Sequence, residues 1–475
     1  MCGFVGLFGK NSLNIPIDRY GQLISYRGPD CQTSFCTPQF QVFFSRLAIL
    51  PPLEKNGISE YKGSFLVLNG EIYFDDFGKL TDTELLHHKL IDEGFSILHR
   101  LNGQFAFALF KDNMLFLGRD HLGIKPLYYS QLSPGITVFS SEIKAISQIP
   151  QIDKELNRPV IECFKGLGYN LFPGKTCFKK IHSVEAGELL SIDCNQRVKK
   201  KYFFKYDISA EEDSELNLDT VKDELDAGIK RCVIHDQCNS KALFLSGGLD
   251  SSYLLAKGLK HSSIYPFTLW DGENGDDITD ARLLCSTLNV PLSEYRVQWP
   301  LLDKMIVNYA WHFEMPIGGG GFDLLGGIAF HILAQKIANG GFKVALCGEG
   351  ADELFLGYHQ YHMEPSLLRE KLDDAIARYG LRFLKSKLSE IGFFREPERA
   401  ARFIAVKYGL SEYHLQSVDR SGMAFGLEVR PPFVNHRLAV LLKRIQVKNF
   451  IDRENNWTKI PLRQIFSQCV CRQTV

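Results

Sequence analysis

The sequence lacks an excess of charge of either sign, because 55 Lys and Arg residues balance 55 Asp and Glu residues over 475 positions. A neutral chain has no overall attraction for nucleic acid or an anionic membrane, so small-molecule partners are favoured. The sequence also lacks an apolar run of the roughly 18 residues that a membrane span needs, and its first residues lack a signal-peptide pattern. We therefore expect a cytoplasmic protein.

Ordered cysteine patterns and the common phosphate-binding loop are absent as well. The 12 cysteines run from Cys2 to Cys471, and the pair Cys469 and Cys471 has no second pair or histidine partners that would complete a zinc site. We expect reduced thiols. No GxxxxGK[ST] motif occurs, which excludes a Walker A nucleotide site.

Short apolar runs separated by turns fill the first half of the chain. They lie at 4–8, 41–50, 64–70, 104–110, 113–120 and 136–141, and one helical stretch runs from Thr83 to Gly94. Several strands with few helices predict sheets that pack face to face between flanking helices, rather than an alternating β-α-β array.

From about Leu218 the pattern changes, because amphipathic stretches alternate with apolar runs such as 241–246. This alternation predicts an α/β domain with a parallel sheet. The chain is long enough for two or three domains with their own cores. We expect a domain at 1–205, a charged linker at 206–216 and a second domain at 217–475.

Cys2 would become the first residue once Met1 is removed, and it would then carry both a thiol nucleophile and a free α-amine. The amine titrates near ~8 and the thiol near ~8.5, so the amine can accept the proton of the thiol. The alternative is that a small second residue only permits methionine removal.

Later segments of the first half carry groups that an amide-hydrolysing thiol needs. The guanidinium groups of Arg27 and Arg46 suit a substrate carboxylate, unless Arg27 closes a turn. Asn69 and Gly70 offer a side-chain amide beside an unhindered backbone N–H, which forms either an oxyanion hole or a hairpin turn. Asp82 either holds an ammonium group or caps a helix, as Thr-Asp-Thr-Glu segments commonly do.

The segment ALFLSGGLDSS at 242–252 leads from an apolar strand through two glycines into a helix start. Such a turn directs backbone N–H groups and the positive end of the helix at an anion, here a pyrophosphate. The hydroxyls of Ser246, Ser251 and Ser252 add donors. A plain strand–turn–helix is the alternative.

The segment 344–358 repeats the order of strand, glycine turn and helix, and it carries three carboxylates. Carboxylates beside phosphate are explained by a hard cation between them, because Mg²⁺ binds carboxylate and phosphate oxygens. Asp250 and Asp352 are the best magnesium candidates. Alternatively, each is an acid that complements a helix dipole.

The segments MCGFVGLFG, RGPD, RLAI, NGEIY and LNGQFAFALF with GRDHLGIKPLYY resemble the class II glutamine amidotransferase domain of asparagine synthetases. The resemblance covers nearly all of residues 1–200. It implies a four-layer αββα sandwich of the amino-terminal nucleophile hydrolase type. By this resemblance Cys2 attacks the glutamine amide and releases ammonia, while Asn69 and Gly70 stabilise the oxyanion. The residues that would hold glutamine are Arg46, Asn69, Glu71 and Asp82.

Two positions depart from the pattern of that family. Phe44 stands where a histidine is usual, two residues before Arg46, and Phe74 stands at the end of a motif that usually closes with asparagine. Both departures bear on glutamine affinity more than on the chemistry.

Four segments of the second half also resemble known motifs. SGGLDSS resembles the PP-loop of ATP pyrophosphatases, which release AMP and pyrophosphate, and CGEGADE resembles the SGEGADE motif of asparagine synthetases. Residues 418–433 match their DRxxMxxGLEVRxPF segment, and 457–463 resembles their KxxLR motif. By this resemblance Glu349 forms and uses an acyl-adenylate, and Lys459 neutralises phosphate charge. The implied ATP contacts are Leu245, Ser246, Gly247, Gly248, Asp250, Ser251, Ser252, Leu269, Cys347 and Gly348, and the implied Mg²⁺ ligands are Asp250 and Asp352.

Together these resemblances predict a glutamine-dependent amidotransferase of the PP-loop α/β type, with ATP as co-substrate and Mg²⁺ as cofactor. Ammonia would pass internally to an acyl-adenylate, most simply that of aspartate, giving asparagine. The Gly-rich stretch from Gly318 to Gly327 either reshapes the acceptor pocket or is a flexible loop.

Three other functions are open at this stage. The first is amidation of a different carboxylate in a specialised-metabolite or cell-surface polysaccharide pathway. The second is β-lactam formation, which Cys2 and Glu349 disfavour because such enzymes typically lack the cysteine and carry tyrosine for the glutamate. The third is a non-catalytic regulator that binds glutamine or nucleotide. The oligomeric state is also open, with a homodimer as one candidate.

Overall fold

The computed structural model describes residues 2–468 with several gaps. The residues left out are 10–14, 50–56, 75–78, 133–134, 208–214, 235, 237, 239, 274, 299, 301, 317–321, 363, 382–383 and 386–396. Most of the predicted linker at 206–216 therefore lies outside the described residues, as do Gly318 to Gly321 and the pair Cys469 and Cys471.

The first half of the chain forms two six-stranded sheets in which neighbouring strands are antiparallel. Its strands are β1 (Cys2–Gly9), β2 (Cys31–Cys36), β3 (Phe40–Arg46), β4 (Ile58–Tyr61), β5 (Ser64–Ile72), β6 (Gly103–Lys111), β7 (Met114–Arg119), β8 (Tyr128–Leu132), β9 (Ile136–Ser140), β10 (His182–Ser183), β11 (Glu188–Ile192) and β12 (Val198–Tyr202). The first sheet has the order β10-β8-β9-β1-β3-β2 and the second has the order β12-β11-β7-β6-β5-β4.

The two sheets pack face to face and are covered by helices on their outer faces. Phe4 and Phe8 of β1 share one buried cluster with Val67 of β5. The outer face of the first sheet packs on helices α1 (Ile17–Gly21) and α3 (Ile143–Ser147), and that of the second packs on α2 (Asp82–Asp92). Helix α4 (Arg158–Leu167) follows. This arrangement confirms the predicted αββα sandwich.

Burial along the strands explains why the sequence has long apolar runs instead of strict alternation. All eight residues of β1 are buried, because layers cover both faces of its sheet. The edge strand β2 alternates between half-buried and exposed residues, as expected where one face meets solvent. The run 113–120 is the strand β7, and the helical stretch at Thr83 is the helix α2.

The second half contains a parallel sheet of five strands in the order β15-β14-β13-β16-β17. These strands are β13 (Ser240–Phe244), β14 (Ser263–Trp270), β15 (Ser293–Arg296), β16 (Val344–Leu346) and β17 (Glu428–Arg430). The predicted parallel α/β architecture is thus confirmed. Carboxyl ends of parallel strands meet at one edge, so the segments after β13 and β16 lie side by side.

Helices pack around this sheet. They are α5 (Leu218–Ile234), α6 (Leu249–Gly258), α7 (Asp276–Thr287), α8 (Leu302–Phe313), α9 (Phe322–Asn339), α10 (Ala351–Phe355), α11 (Pro365–Arg378), α12 (Pro397–Ile404), α13 (Leu415–Met423), α14 (His436–Leu442) and α15 (Ile460–Ser467), with a π-helix at Ala405–His414. Short 3-10 helices lie at Gln22–Arg27, Phe95–Arg100, His359–His362 and Val447–Asn449. Within the described part of the chain, no helix is both long and apolar enough to cross a bilayer.

Candidate active sites

The thiol of Cys2 is buried in a small pocket between the two sheets of the first half. Cys2 begins β1 and pairs with Arg46 at the end of β3, so the strand register places the guanidinium beside the thiol. The cavity measures about 30 Å³. Its wall includes Cys2, Phe44, Arg46, Gly70, Glu71 and Asp82.

Burial raises the pKa of the Cys2 thiol, whereas the positive charges of the amino terminus and of Arg46 lower it. A backbone N–H of Leu47 lowers it as well. A thiol held in an apolar layer is a poor nucleophile until a base takes its proton. The pocket therefore needs the base that an amino-terminal cysteine would carry.

Asn69 and Gly70 lie inside β5, paired with Ala106 and Phe105, so the hairpin-turn interpretation is wrong. Gly70 has φ +134°, and a Cβ there would lie 2.0 Å from the carbonyl oxygen of Gln104. Asn69 is fully buried, and neither polar atom of its amide has a hydrogen-bond partner among the described residues. An unpaired buried amide is costly and suits a site that awaits a ligand.

Asp82 is the first residue of α2, but it does not cap that helix. Thr81 is the N-cap and forms a capping box with Glu84. Asp82 instead accepts hydrogen bonds from the backbone N–H groups of Ile72, at 3.3 Å, and Thr83, at 2.8 Å. Burial, followed by the negative charge of Glu71, raises the pKa of Asp82 to about 6. Its carboxyl group is thus an acceptor facing the thiol pocket.

Glu71 is shared between the thiol pocket and the second half of the chain. Its Oε1 atom accepts a hydrogen bond of 2.7 Å from Arg430 in β17. Its Oε2 atom is buried and has no partner among the residues that the structure describes. One oxygen is therefore held by the protein while the other is available to a ligand.

Arg27 does not reach the pocket, so the expectation that it binds a substrate carboxylate is wrong. Its side chain is fully buried and forms ion pairs of 2.8 Å with Glu142 and with Asp419 of α13. Its Nε atom also donates to the backbone oxygen of Cys2 at 3.2 Å. Glu142 and Asp419 are 115 and 392 residues away from Arg27 in the sequence, so local patterns could not reveal these ion pairs.

The predicted phosphate loop lies between β13 and α6, at the carboxyl edge of the parallel sheet. Gly247 has φ +89°, and a Cβ there would lie 2.1 Å from the carbonyl oxygen of Asp277. The Oγ atoms of Ser246 and Ser251 are 3.1 Å apart, and Ser252 donates to the carbonyl oxygen of Gly247. The hydroxyls thus shape a tight turn in front of the helix.

A cavity of about 660 Å³ opens beside this loop. Of the predicted ATP contacts, Leu245, Ser246 and Leu269 line it. Gly348 lies beside the loop, since a Cβ on it would be 3.2 Å from Cβ of Asp250. The wall also contains aromatic and acidic residues that the sequence did not single out: Phe244, Trp270, Asp271, Glu273, Asp276, Asp277 and Phe330.

Asp250 and Asp352 meet at Lys459, which comes from a distant part of the sequence. The Nζ atom of Lys459 lies 2.6 Å from Asp250 Oδ2 and 2.7 Å from Asp352 Oδ1. Lys459 has φ +54°, an unfavourable backbone conformation that is common at functional positions. Gly357 packs so closely that a Cβ there would lie 2.0 Å from both Asp352 and Lys459.

Two observations show that this carboxylate pair fits Mg²⁺. Asp250 Oδ1 is buried and unpaired within the described parts of the chain. Burial raises the pKa of Asp250 to about 6, against the charge of Lys459, which lowers it. A cation ligated by hard oxygens would satisfy the unpaired atom and favour the ionised form.

Glu349 lies in a cluster that the sequence had only partly indicated. His414, at the end of the π-helix, has Nδ1 3.7 Å from Glu349 and Nε2 3.6 Å from Glu353. The hydroxyl of Tyr358 donates to Glu353 at 2.6 Å. Burial raises the pKa of Glu349 to about 7, with His414 opposing that rise. Nothing in the local sequence around His414 indicated that it would reach this cluster.

Comparison with known families supports this interpretation of both sites. Residues 1–203 match the family described as glutamine amidotransferase domain, and residues 220–473 match the family described as asparagine synthase. The second match alone covers more than half of the chain. The chain belongs to the asparagine synthase family.

Individual relatives in the asparagine synthase family are distant. Glutamine-hydrolysing asparagine synthetase 1 of Bacillus subtilis is 29% identical over 398 residues, which cover 77% of this chain and 60% of the relative. The putative asparagine synthetase 2 of Methanocaldococcus jannaschii is 27% identical, covering 75% and 76%. The mouse asparagine synthetase is 26% identical over 524 residues, covering 99% and 81%. The chain thus spans less than two thirds of the Bacillus subtilis relative.

The two departures from the family pattern have different surroundings in the structure. Phe44 lines the Cys2 pocket with its ring fully buried. Phe74 is half-buried and packs on the outer face of the second sheet. Only Phe44 therefore replaces a polar group in the wall of the thiol pocket with an apolar one.

Proposed function

We propose that this member of the asparagine synthase family hydrolyses glutamine at Cys2 and uses the ammonia to amidate a carboxylate activated with ATP. Aspartate is the leading acceptor, and asparagine is then the product. The observation that carries the proposal is that one molecule holds a buried thiol pocket and a PP-loop site with its own Asp–Lys–Asp cluster. We assign the first reaction to residues 1–205 and the second to 217–475.

In the thiol pocket, the α-amine of a processed Cys2 takes the thiol proton, and the thiolate attacks the amide carbon of glutamine. The oxyanion forms next to the backbone N–H of Gly70 and the side-chain amide of Asn69, which has no hydrogen-bond partner among the described residues. The α-ammonium group returns its proton to the amide nitrogen, so that the intermediate collapses, ammonia leaves and a thioester remains, which water hydrolyses to glutamate. Arg46 pairs with the substrate carboxylate, while Asp82 and Glu71 accept from its ammonium group.

At the second site, a carboxylate oxygen of the acceptor attacks the α-phosphorus of ATP and pyrophosphate leaves. Ammonia then attacks the acyl carbon and AMP leaves with the bonding electrons. Lys459 balances charge on the departing pyrophosphate. Asp250 and Asp352 would hold Mg²⁺, which would supply charge neutralisation to the phosphates. Glu349, with a pKa near neutrality, is suited to take the proton that the attacking ammonia loses.

Ammonia must pass between the sites without loss to water. Lys125, Asp419 and Glu428 lie between the two halves, and each is at most 2% exposed. Burial along the path would keep ammonia from being protonated in solvent and would keep water from the acyl-adenylate.

The deciding assay supplies glutamine, ATP, Mg²⁺ and one carboxylate at a time, and follows glutamate and pyrophosphate. Pyrophosphate that appears only with aspartate supports asparagine synthesis. Pyrophosphate with another carboxylate identifies a different acceptor. In a separate assay without glutamine or ammonia, a product in which the amine of the acceptor has formed an amide with its own carboxylate identifies intramolecular amide formation. If glutamine or ATP binds but neither is turned over, the protein is a regulator and the proposal of an enzyme is refuted.

A further inference from the structure

The segment 419–430 contacts the thiol pocket and also forms part of the parallel sheet. It comprises the end of α13, a turn and strand β17, and it lies within a motif to which the proposed chemistry gives no role. Its residues Asp419, Glu428 and Arg430 are buried and face the first half of the chain.

Arg430 reaches into the wall of the glutamine pocket. Its Nη2 atom donates to Glu71 Oε1 at 2.7 Å, and both side chains are at most 1% exposed. The other terminal guanidinium nitrogen of Arg430, Nη1, donates to the backbone oxygen of Cys232 at 2.6 Å and forms an ion pair with Asp236. Arg430 is the partner of Glu71 Oε1, and Oε2 has none among the described residues, so the orientation of Glu71 depends on a residue of the other half.

The backbone of Arg430 is joined to the turn that precedes Glu349. Leu346 of β16 is registered with Arg430, and the N–H of Cys347 donates to the carbonyl oxygen of Arg430 at 3.1 Å. Gly348 and Glu349 follow directly. Glu71 is thus separated from the adenylating site by one side chain and one backbone hydrogen bond.

A second contact holds the nucleophile from the same segment. Asp419 binds Arg27, and Arg27 in turn donates to the backbone oxygen of Cys2. Asp419 also pairs with Lys125 at 2.9 Å, and Lys125 pairs with Glu428 at 2.8 Å. A shift of the segment would therefore move both the nucleophile strand and a glutamine-binding carboxylate.

We propose that Arg430 is a positioning residue of the glutamine pocket, and that segment 419–430 couples nucleotide binding at the second site to glutamine affinity at the first. The inference rests on the proposed function, because it requires that glutamine and ATP bind where assigned. Coupling between binding sites is reciprocal, so each ligand changes the affinity for the other by the same factor.

The test measures binding by calorimetry in the Cys2→Ala protein, where glutamine binds without being hydrolysed. Glutamine affinity is measured with and without α,β-methylene ATP and Mg²⁺, and nucleotide affinity with and without glutamine. We expect a change of about fivefold or more, equal in both directions. In the double variant Cys2→Ala with Arg430→Lys, the lysine side chain cannot contact Glu71 and the backbone oxygen of Cys232 at the same time. The factor by which one ligand changes the affinity for the other should then approach one.

Asp236→Asn in the same background is the matched control, because it alters the other partner of Arg430 and leaves the contact with Glu71. It should retain the coupling factor. With Cys2 intact, Arg430→Lys should raise the KM for glutamine about tenfold, the usual effect of losing one charge-assisted hydrogen bond. Its ammonia-dependent pyrophosphate release should change less than twofold, whereas a merely structural defect would lower both activities.

The inference is overturned if the coupling persists in Arg430→Lys, or if the coupling factor in the Cys2→Ala protein is one while both ligands bind. Neither outcome contradicts the proposed function. Failure of either ligand to bind refutes the proposed function itself. If Arg430→Lys does not fold, hydrogen exchange of the Cys2→Ala protein decides. The nucleotide should then slow exchange at 69–72 and 428–430, and unchanged exchange there overturns the coupling.

Discussion

The thiol pocket and the adenylating site differ in size and in the way they are built. The first is a small cavity of about 30 Å³ whose groups come from paired strands and the start of α2. The second opens into a cavity of about 660 Å³, formed by segments that follow the ends of parallel strands. A site fixed by strand register is preorganised, whereas a site made of strand-end segments can admit a nucleotide and a second substrate.

The two sites also balance their charges differently. At the thiol pocket, burial and the negative charge of Glu71 raise the pKa of Asp82, whereas the backbone N–H groups of Ile72 and Thr83 lower it. At the adenylating site, Lys459 lies between Asp250 and Asp352 and balances both. Asp82 forms no ion pair with a side chain of the described residues, so its carboxyl group is left for the ammonium group of the substrate, whereas Asp250 and Asp352 share Lys459 before any ligand arrives.

Removing the nucleophile should separate the two sites most clearly. Cys2→Ala should lower glutamine-dependent glutamate release at least about 10³-fold, because no other group can form the thioester. Pyrophosphate release with added ammonia should continue. Cys36→Ala is the matched control, since Cys36 is an exposed thiol at the end of the edge strand β2. Full support of the Cys2→Ala protein by glutamine would show that the nucleophile lies elsewhere.

Removing the cation of the second site should give the converse result. Lys459→Met should slow pyrophosphate release by roughly 10²–10³-fold, because it deletes charge stabilisation and leaves two carboxylates unbalanced. Glutamate release without ATP should change little. Lys448→Met, at an exposed position, is the control. An equal loss of both activities would contradict the separation of the sites.

The backbone of the thiol pocket should tolerate little change. Gly70→Ala places a methyl group against Gln104 and forces an alanine to φ +134°, so we expect a loss of about 2–4 kcal/mol in unfolding free energy. Gly63→Ala matches it, because that glycine has φ +70° with nothing within 4 Å of the added carbon. For this control, urea unfolding should show a loss of about 1 kcal/mol in unfolding free energy. Equal losses would mean that strain, not the contact, sets the cost.

The difference between the sites also explains how far sequence reasoning reached. Cys2, Arg46, Gly70 and Asp82 were predicted because their motifs are local, and adjacent strands then bring them to one pocket. Arg27 was misjudged, since its chemistry suits any carboxylate and its partner Asp419 is 392 residues away.

Predictions for the second site were less complete because its residues converge through tertiary packing. Asp250 and Asp352 were expected to lie together, and they do, through Lys459. His414 and Trp270 could not be found, since neither stands in a pattern that indicates a site. Their positions depend on how the π-helix and the end of β14 pack against the sheet.

The smallest expected effect concerns Asp82, whose burial in the thiol pocket lowers the unfolding free energy of the protein. Its pKa of about 6 in the fold exceeds the ordinary 3.8, so the folded state binds the proton more tightly, and stability falls as pH rises from 3.8 to 6. Above that window the full penalty applies, roughly 3 kcal/mol at most. Asp82→Asn removes it but loses one acceptor, so urea unfolding should show a gain of about 1–2 kcal/mol at pH 7.5.

At pH 4 the gain should vanish, because Asp82 is then protonated in the fold and only about half ionised in the unfolded chain, which leaves about 0.5 kcal/mol of the penalty. The same variant should bind glutamine more weakly, since a neutral amide replaces the carboxylate that faces the substrate ammonium group. A loss of stability at both pH values would mean that the hydrogen bonds from Ile72 and Thr83 outweigh desolvation. In that case the thiol pocket would be balanced internally, as the Asp–Lys–Asp cluster of the second site is.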